Sequence, residues 1–317
     1  MSVDRLLEIT ATLAAIIYFT ARTIRPGQDR QTRMVWWATL LAAAGLLAHG
    51  ILVPVHILDA PLGGRNWINL VQNLCSLLAF WLGRQAILGL AFPERRRREW
   101  PLIAASGIAV AIPFALIEKA EPTSDTFISD QVGQLAMWFY VVVYMGIVGA
   151  VAVSIVTSLL RRRRVIRYIP FVAGAALVVI ACAEEIVYIT AAHFRLVDAD
   201  ASLTLLHGFG PLFYAGIGLI FASLYAFLIT RWARRRRIQR LTARLRAAAG
   251  AQPRPGSGAL VDLYELVVGI RDANSLSAAG DPEIEALLQE CERLLTRHLE
   301  FEVPQFRKTV IYGSIRA

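Results

Sequence analysis

Seven long apolar runs, separated by short polar or arginine-rich gaps, order this chain. They lie near residues 6–24, 35–58, 67–90, 100–118, 131–160, 168–190 and 204–230. A hydrocarbon core of about 30 Å needs roughly 20 apolar residues in a helix. None of the runs alternates apolar and polar positions as a barrel strand would. The pattern predicts an all-α, polytopic membrane protein with seven transmembrane helices. The fifth run is the longest and predicts a helix that tilts or continues past the bilayer.

Beyond residue 230 the pattern changes. Residues 231–249 keep a helical spacing, with Ile238, Leu241 and Leu245 on one face and arginines around them. That reads as a basic juxtamembrane helix on the inner leaflet. Residues 250–258, rich in Gly and Pro, read as a linker. Residues 259–317 predict a small helical cytoplasmic module. Leu260, Leu263, Val267 and Ile270 mark its first helix, and Asp281-Pro282 starts the second. Ile284, Leu287, Leu288, Cys291, Leu294, Leu295 and His298 give the second a broad apolar stripe. Two short helices bury little surface, so residues 259–300 are expected to dock on a second copy or a soluble partner. The division expected is 1–230, 231–249, 250–258 and 259–317.

Charge then fixes the orientation. Arginine clusters follow the first, third, fifth and seventh runs, placing 21 basic residues on one side against Arg5, Arg65, Lys119 and Arg195 on the other. Basic loops stay cytoplasmic, so the N-terminus is expected outside and the C-terminus in the cytoplasm of an inner (plasma) membrane protein. The net charge of +9 gathers at the ends of the apolar runs. It points to anionic lipid at the inner leaflet, not to nucleic acid. Asp4 and Glu8 stand where a signal peptide has basic residues, so the first run reads as an uncleaved anchor. The three cysteines have neither a disulfide framework nor zinc-type spacing.

The stretch Gly64-Arg-Asn-Trp-Ile-Asn-Leu-Val-Gln-Asn-Leu and the following Phe80-Trp-Leu-Gly-Arg-Gln resemble the third span of a group of actinobacterial membrane proteins. Those are classed as transporters and carry a C-terminal cytoplasmic domain of unknown function. Leu263-Tyr-Glu-Leu-Val-Val-Gly-Ile-Arg-Asp272 is similar to a helix of that domain, although the tail here is shorter. Arginine outnumbers lysine 31 to 2, which suits a GC-rich actinobacterial genome. The resemblance implies the architecture and no particular substrate.

Candidate chemistry comes from polar residues inside the runs, since an ionisable group there costs roughly 2.5–3.5 kcal/mol on insertion scales. By rise per residue, His49, Asn69, Asn73, Gln134, Glu184, Glu185 and His207 fall in the outer half of the bilayer. Pro54 and Pro211 fall in the same layer and are expected to break their helices as hinges, freeing the carbonyls of Gly50 and His207. The expected function is binding of a small polar solute at an outer-half pocket, extending to its transport. The alternative is a signalling or receptor-like protein whose tail recruits a partner. A metal-dependent intramembrane hydrolase ranks below both. His49, His56, Glu184 and His207 have ligand-type side chains, but no tight His-x-x-x-His pair is present. Ile189 stands where a CAAX-type protease motif wants arginine. The seventh run has no lysine for a retinal Schiff base.

Overall fold

The computed structural model describes residues 3–23, 30–50, 52–91, 99–118, 123–161, 168–197, 199–250, 259–275 and 282–302. The chain is all-helical, with 88% helix and no strand among the described residues. It divides into two compact units, Met1–Tyr225 and Ala226–Ala317. The first contains α1 (Val3–Thr23), α2 (Arg30–Ala48), α3 (Val55–Asp59), α4 (Trp67–Ala91), α5 (Trp100–Ala115), α6 (Phe127–Asp130), α7 (Leu135–Leu160), α8 (Ile169–His193) and the start of α9 (Ala199–Ala248). The second contains the rest of α9 with α10 (Ala259–Ser275) and α11 (Pro282–Glu302).

Four segments are long and apolar enough to cross a membrane: Arg5–Thr23, Leu135–Leu160, Ile169–His193 and Gly208–Ala248. α4 is 25 residues long but carries Asn69, Gln72, Asn73, Arg84 and Gln85. Arg33–Ala48 and Trp100–Ala115 are shorter apolar helices. α7 forms the centre of the first unit. Its buried Tyr140, Tyr144, Val148 and Ala152 pack in one core with Leu77, Val110, Phe114, Val178 and Cys182.

Close approaches mark small residues. A Cβ on Gly174 of α8 would stand 2.7 Å from the Gly216 carbonyl of α9, and one on Gly216 would stand 2.8 Å from the Gly174 carbonyl. Small residues facing one another let helix backbones meet. Gly45 does the same for α2 and α4, its missing Cβ falling 2.7 Å from Ser76 Oγ. The first and last helices of the unit also meet, Tyr18 packing on Phe221 and Tyr225. The Tyr225 hydroxyl donates to the Ala14 carbonyl at 2.8 Å.

The turn entering α4 is built around Asp59, which is completely buried. Its carboxylate accepts from the Asn66 amide at 2.6 Å, the Ile68 amide at 2.7 Å and the Thr123 hydroxyl at 2.6 Å. Two of these donors open α4, where amides lack intrahelical partners and a negative charge is favoured. Asn66 takes φ 61°, Gly63 φ 102° and Gly64 φ 67°, so the turn uses left-handed backbone to bring Asp59 under the helix.

Several expectations change. The second run does not form one helix over 35–58. α2 ends at Ala48, Gly50 takes φ 95°, and Pro54 stands outside any helix as the N-cap of α3. Proline disfavours a helical residue before it, so this stop is a full break and not a hinge. Pro211, in contrast, lies inside an unbroken α9.

The segment 231–249 is not a separate surface helix. It continues α9, and its Ile238, Leu241 and Leu245 form one core with Leu263, Val267, Ile270, Leu287, Leu288, Cys291 and Leu295. Leu263, Val267 and Leu287, expected to face a partner, are buried in that core, and Leu294 packs against it. Asp262 receives two 2.7 Å bonds from Arg246, Glu290 pairs with Arg237 at 2.8 Å, and Arg271 bridges Glu285 and Glu292. Of the expected linker only Gly250 is described, at φ 61° where α9 ends. Residues 251–258, most of the arginine clusters at 92–98 and 162–167, and the side chain of His298 lie outside the described residues.

Candidate functional site

α4 presents Asn69, Gln72, Asn73 and Ser76 at helical i, i+3, i+4 and i+7 spacing, one polar stripe near its start. Each meets a polar side chain of another helix. Tyr140 of α7 donates to Asn69 Oδ1 at 2.8 Å and accepts from Asn73 Nδ2 at 2.7 Å. Ser76 lies within hydrogen-bonding reach of Tyr144, one turn further along α7. Gln72 turns to the other flank, its Nε2 2.9 Å from Nδ1 of His49 just past α2.

His49 continues the chain to α1, its Nε2 lying 3.2 Å from Oε1 of Glu8. Gln72 thus lies on the Nδ1 side of the ring and the Glu8 carboxylate on its Nε2 side. The Tyr214 hydroxyl of α9 lies within hydrogen-bonding reach of the same Glu8. The Tyr214 ring meets the imidazole edge-on at 6.2 Å. Four helices thus converge on one histidine. Its side chain is 44% exposed, so this end of the network is open while Tyr140 at the other end is buried.

The remaining candidates separate into distinct places. Gln134 caps α7 and is bound to the chain on both sides. Its Oε1 accepts from the Glu118 amide at 2.8 Å, and its Nε2 donates to the Glu118 carbonyl at 2.9 Å. That spends its hydrogen bonds on the turn between α5 and α7. His56 is exposed on α3, and the break at Gly50 removes it from the face of His49.

Glu185 is buried beside Cys182 on α8, and Glu184 lies against Gly208 of α9. His207 is within α9, but its side chain lies outside the described residues. Among the described residues no three His, Cys, Asp or Glu side chains gather as a metal site.

Three participants escaped the sequence reading. In the sequence Glu8 speaks only against a signal peptide, and Gln72 stands between two asparagines on its own face. Arg84 pairs with Glu99, donates to Ser154 at 2.5 Å and lies over Trp81. A groove of about 430 Å³ is lined by Arg33, Met34, Trp37, Leu41, Leu78, Leu82 and Trp100. Its walls are apolar apart from Arg33 and two indole N–H groups.

No protein-family model, characterised protein or solved structure matches the chain. Function has to be read from the geometry above. A network that joins α1, α2, α4, α7 and α9 through side chains, with one end open, offers a solute both donors and acceptors. Gln72, Asn69, Asn73 and the tyrosines are uncharged, and the ionisable pair Glu8–His49 stands at the open end. Such an arrangement suits recognition of a small polar molecule by hydrogen bonds more than covalent chemistry.

Proposed function

We propose that this protein is a seven-helix protein of the cytoplasmic membrane that binds a small polar solute at the Glu8–His49–Gln72 network. In this reading α1, α2, α4, α5, α7, α8 and the first part of α9 are the spans. The N-terminus is outside, the C-terminus is cytoplasmic, and the network lies in the outer half of the bilayer. Transport of the solute is the stronger form of the same proposal, and a relationship to the actinobacterial transporters belongs with it. The single observation that carries it is the open chain of polar contacts from Glu8 through His49 to Gln72, continued on the α4 stripe. Buried polar groups in a bundle are retained where they bind or conduct, and this stripe is satisfied by side chains that a solute can replace.

Two measurements test it. Reporter fusions after Arg98, Arg164 and Arg237 are expected to give cytoplasmic signals, and fusions at Thr123 and Asp200 exterior ones. A single inverted fusion overturns the depth assigned to the network. A thermal-shift screen of the purified protein against amino acids, sugars, polyols and amines is expected to yield a stabilising solute. Its affinity should fall at least about tenfold in Gln72→Leu and His49→Ala, the scale of one or two lost hydrogen bonds in a desolvated site. A bound solute indifferent to both substitutions places binding elsewhere.

A second reading, signalling, is favoured by the closed three-helix core of the second unit, a module that a carrier does not need. It proposes association with a soluble partner, or with a second copy, through the outer faces of that unit. The metal-dependent hydrolase reading has no gathered ligand set in its favour among the described residues.

A further inference from the structure

The groove beside α4 has one charged end and one apolar end. Arg33, Trp37 and Leu41 line it from α2 at i, i+4 and i+8, one face of that helix. By the rise of a helix these positions span about 12 Å. Leu78 and Leu82 line it from α4, and Trp100, the first residue of α5, stands on its other side. Both flanking helices touch α4 closely further along. A Cβ on Gly45 would stand 2.7 Å from Ser76 Oγ, and one on Gly107 would stand 3.8 Å from Leu74 Cδ2. Gly45 lies beyond Leu41 and Gly107 beyond Trp100, so these contacts fall past the apolar end.

The walls narrow the occupant. Trp37 and Trp100 are about half exposed on different helices, and indoles favour the headgroup level of a bilayer. Arg33 is exposed, and among the described residues no ion pair uses it. The charges nearest the groove in the chain are matched, since Arg84 and Glu99 pair with each other. Arg33 therefore brings a positive charge to the end of an apolar trough. The volume of about 430 Å³ suits one small molecule. A polar solute would find few hydrogen-bonding groups along the leucines. An inorganic anion would meet Arg33 and leave the leucines uncovered, and a neutral lipid would do the reverse. A phosphate carried on an acyl chain meets both.

We propose that this groove binds one anionic phospholipid, with its phosphate at Arg33 beside the two indoles and an acyl chain along Leu41, Leu78 and Leu82. The proposal rests on the membrane reading above, in which the arginine-rich helix ends meet the inner leaflet. Anionic headgroups there attract basic residues, and basic clefts between spans hold them. This is a defined site for one lipid, distinct from the attraction of the whole basic surface. It uses none of the residues of the Glu8–His49–Gln72 network.

The test uses the full-length protein, delipidated in a neutral detergent. Its thermal unfolding is followed while phosphatidylglycerol, phosphatidylcholine with the same chains, or inorganic phosphate is added. Phosphatidylglycerol is expected to raise the midpoint saturably by about 3 °C or more, as for a ligand that binds only the folded state. Its half-saturating concentration should be at least about fivefold below that of phosphatidylcholine, the scale of one arginine at an anionic surface. Arg33→Gln, at an exposed position, should abolish that difference. Leu41→Trp fills the groove without changing charge and should weaken phosphatidylglycerol at least about tenfold. Should it fail to fold, Leu78→Trp narrows the same groove from α4. The proposal is overturned if the two lipids act alike on the parent, if inorganic phosphate alone gives the rise, or if the preference survives Arg33→Gln or the binding survives the filled groove. A negative titration with the reporter fusions as expected removes the lipid site alone, and inverted fusions with a positive titration remove the topology alone.

Discussion

Asp59→Ala is expected to lower the thermal midpoint of the protein by on the order of 10 °C. The substitution leaves the Asn66 amide, the Ile68 amide and the Thr123 hydroxyl without their acceptor in a place that water does not reach. Each orphaned donor costs about 1–3 kcal/mol, so a total of about 2–6 kcal/mol follows even if one finds a new partner. The effect should extend to the proposed solute site, because α4 opens at this turn and carries Asn69, Gln72 and Asn73 in its first two turns. Asp59→Asn, which retains one oxygen, should fall between the two. Differential scanning fluorimetry on the three proteins decides it, and an alanine variant melting within about 1 °C of the parent refutes the assigned role.

Leu288→Ala should open the second unit. Leu288, Leu263 and Leu245 are fully buried in a core shared by the end of α9 with α10 and α11. Truncating such a leucine costs about 2–5 kcal/mol, comparable to the whole stability of a domain this small. Cys291, one turn away, supplies the readout. Burial, and secondarily the charges of Glu290 and Glu292, push its thiol up to about 11. At pH 8 it is therefore both covered and almost entirely protonated, and only the thiolate reacts. Opening the core exposes the sulfur and returns it towards the ordinary range. Alkylation of Cys291, followed by mass spectrometry of its peptide, should accelerate at least about a hundredfold in the variant, while Cys75 and Cys182 of the first unit keep their rates. Equal rates at Cys291 would mean that the core does not depend on Leu288.

How far these features could be seen in advance depended on the range of the interaction. The positions of α4, α7 and α8 follow from long, mainly apolar runs, a property of neighbouring residues. The end of α2 was missed because helical continuity through Gly50 was judged from hydropathy, which is silent about a glycine at φ 95°. The Arg84–Glu99 pair was missed because a lone arginine near a helix end has two satisfactory fates, water or a carboxylate, and its own neighbours do not choose between them. The same ambiguity governed Ile238, Leu241 and Leu245. An apolar stripe edged by arginine suits a lipid surface and a protein core equally, and only α10 and α11 decide.

At the candidate site the residue types on α4 were legible, since Asn69 and Asn73 share a face by simple periodicity. Their partners were not. Tyr140 is 67 residues from Asn73, and no local rule connects them. Glu8 carried a signal that could have been used, a carboxylate two turns into an apolar helix, and it was spent on deciding whether the segment is cleaved. Gln134 shows the reverse error. Its type and depth suited a pocket, yet the turn before α7 had a nearer use for its amide.

The hydrogen bond from Tyr225 to the Ala14 carbonyl spans 211 residues of sequence, and that distance is also an interval of time. At about 5–20 residues per second, a ribosome needs roughly 10–40 s to travel from the first of these positions to the second. His49 emerges within roughly 2–8 s of Glu8 on the same clock, so the carboxylate meets the imidazole long before Tyr214 exists. The first helix must therefore wait in the bilayer with its eventual α9-facing side uncovered while the rest of the unit is made. Anything that slows elongation through residues 100–200 lengthens that wait.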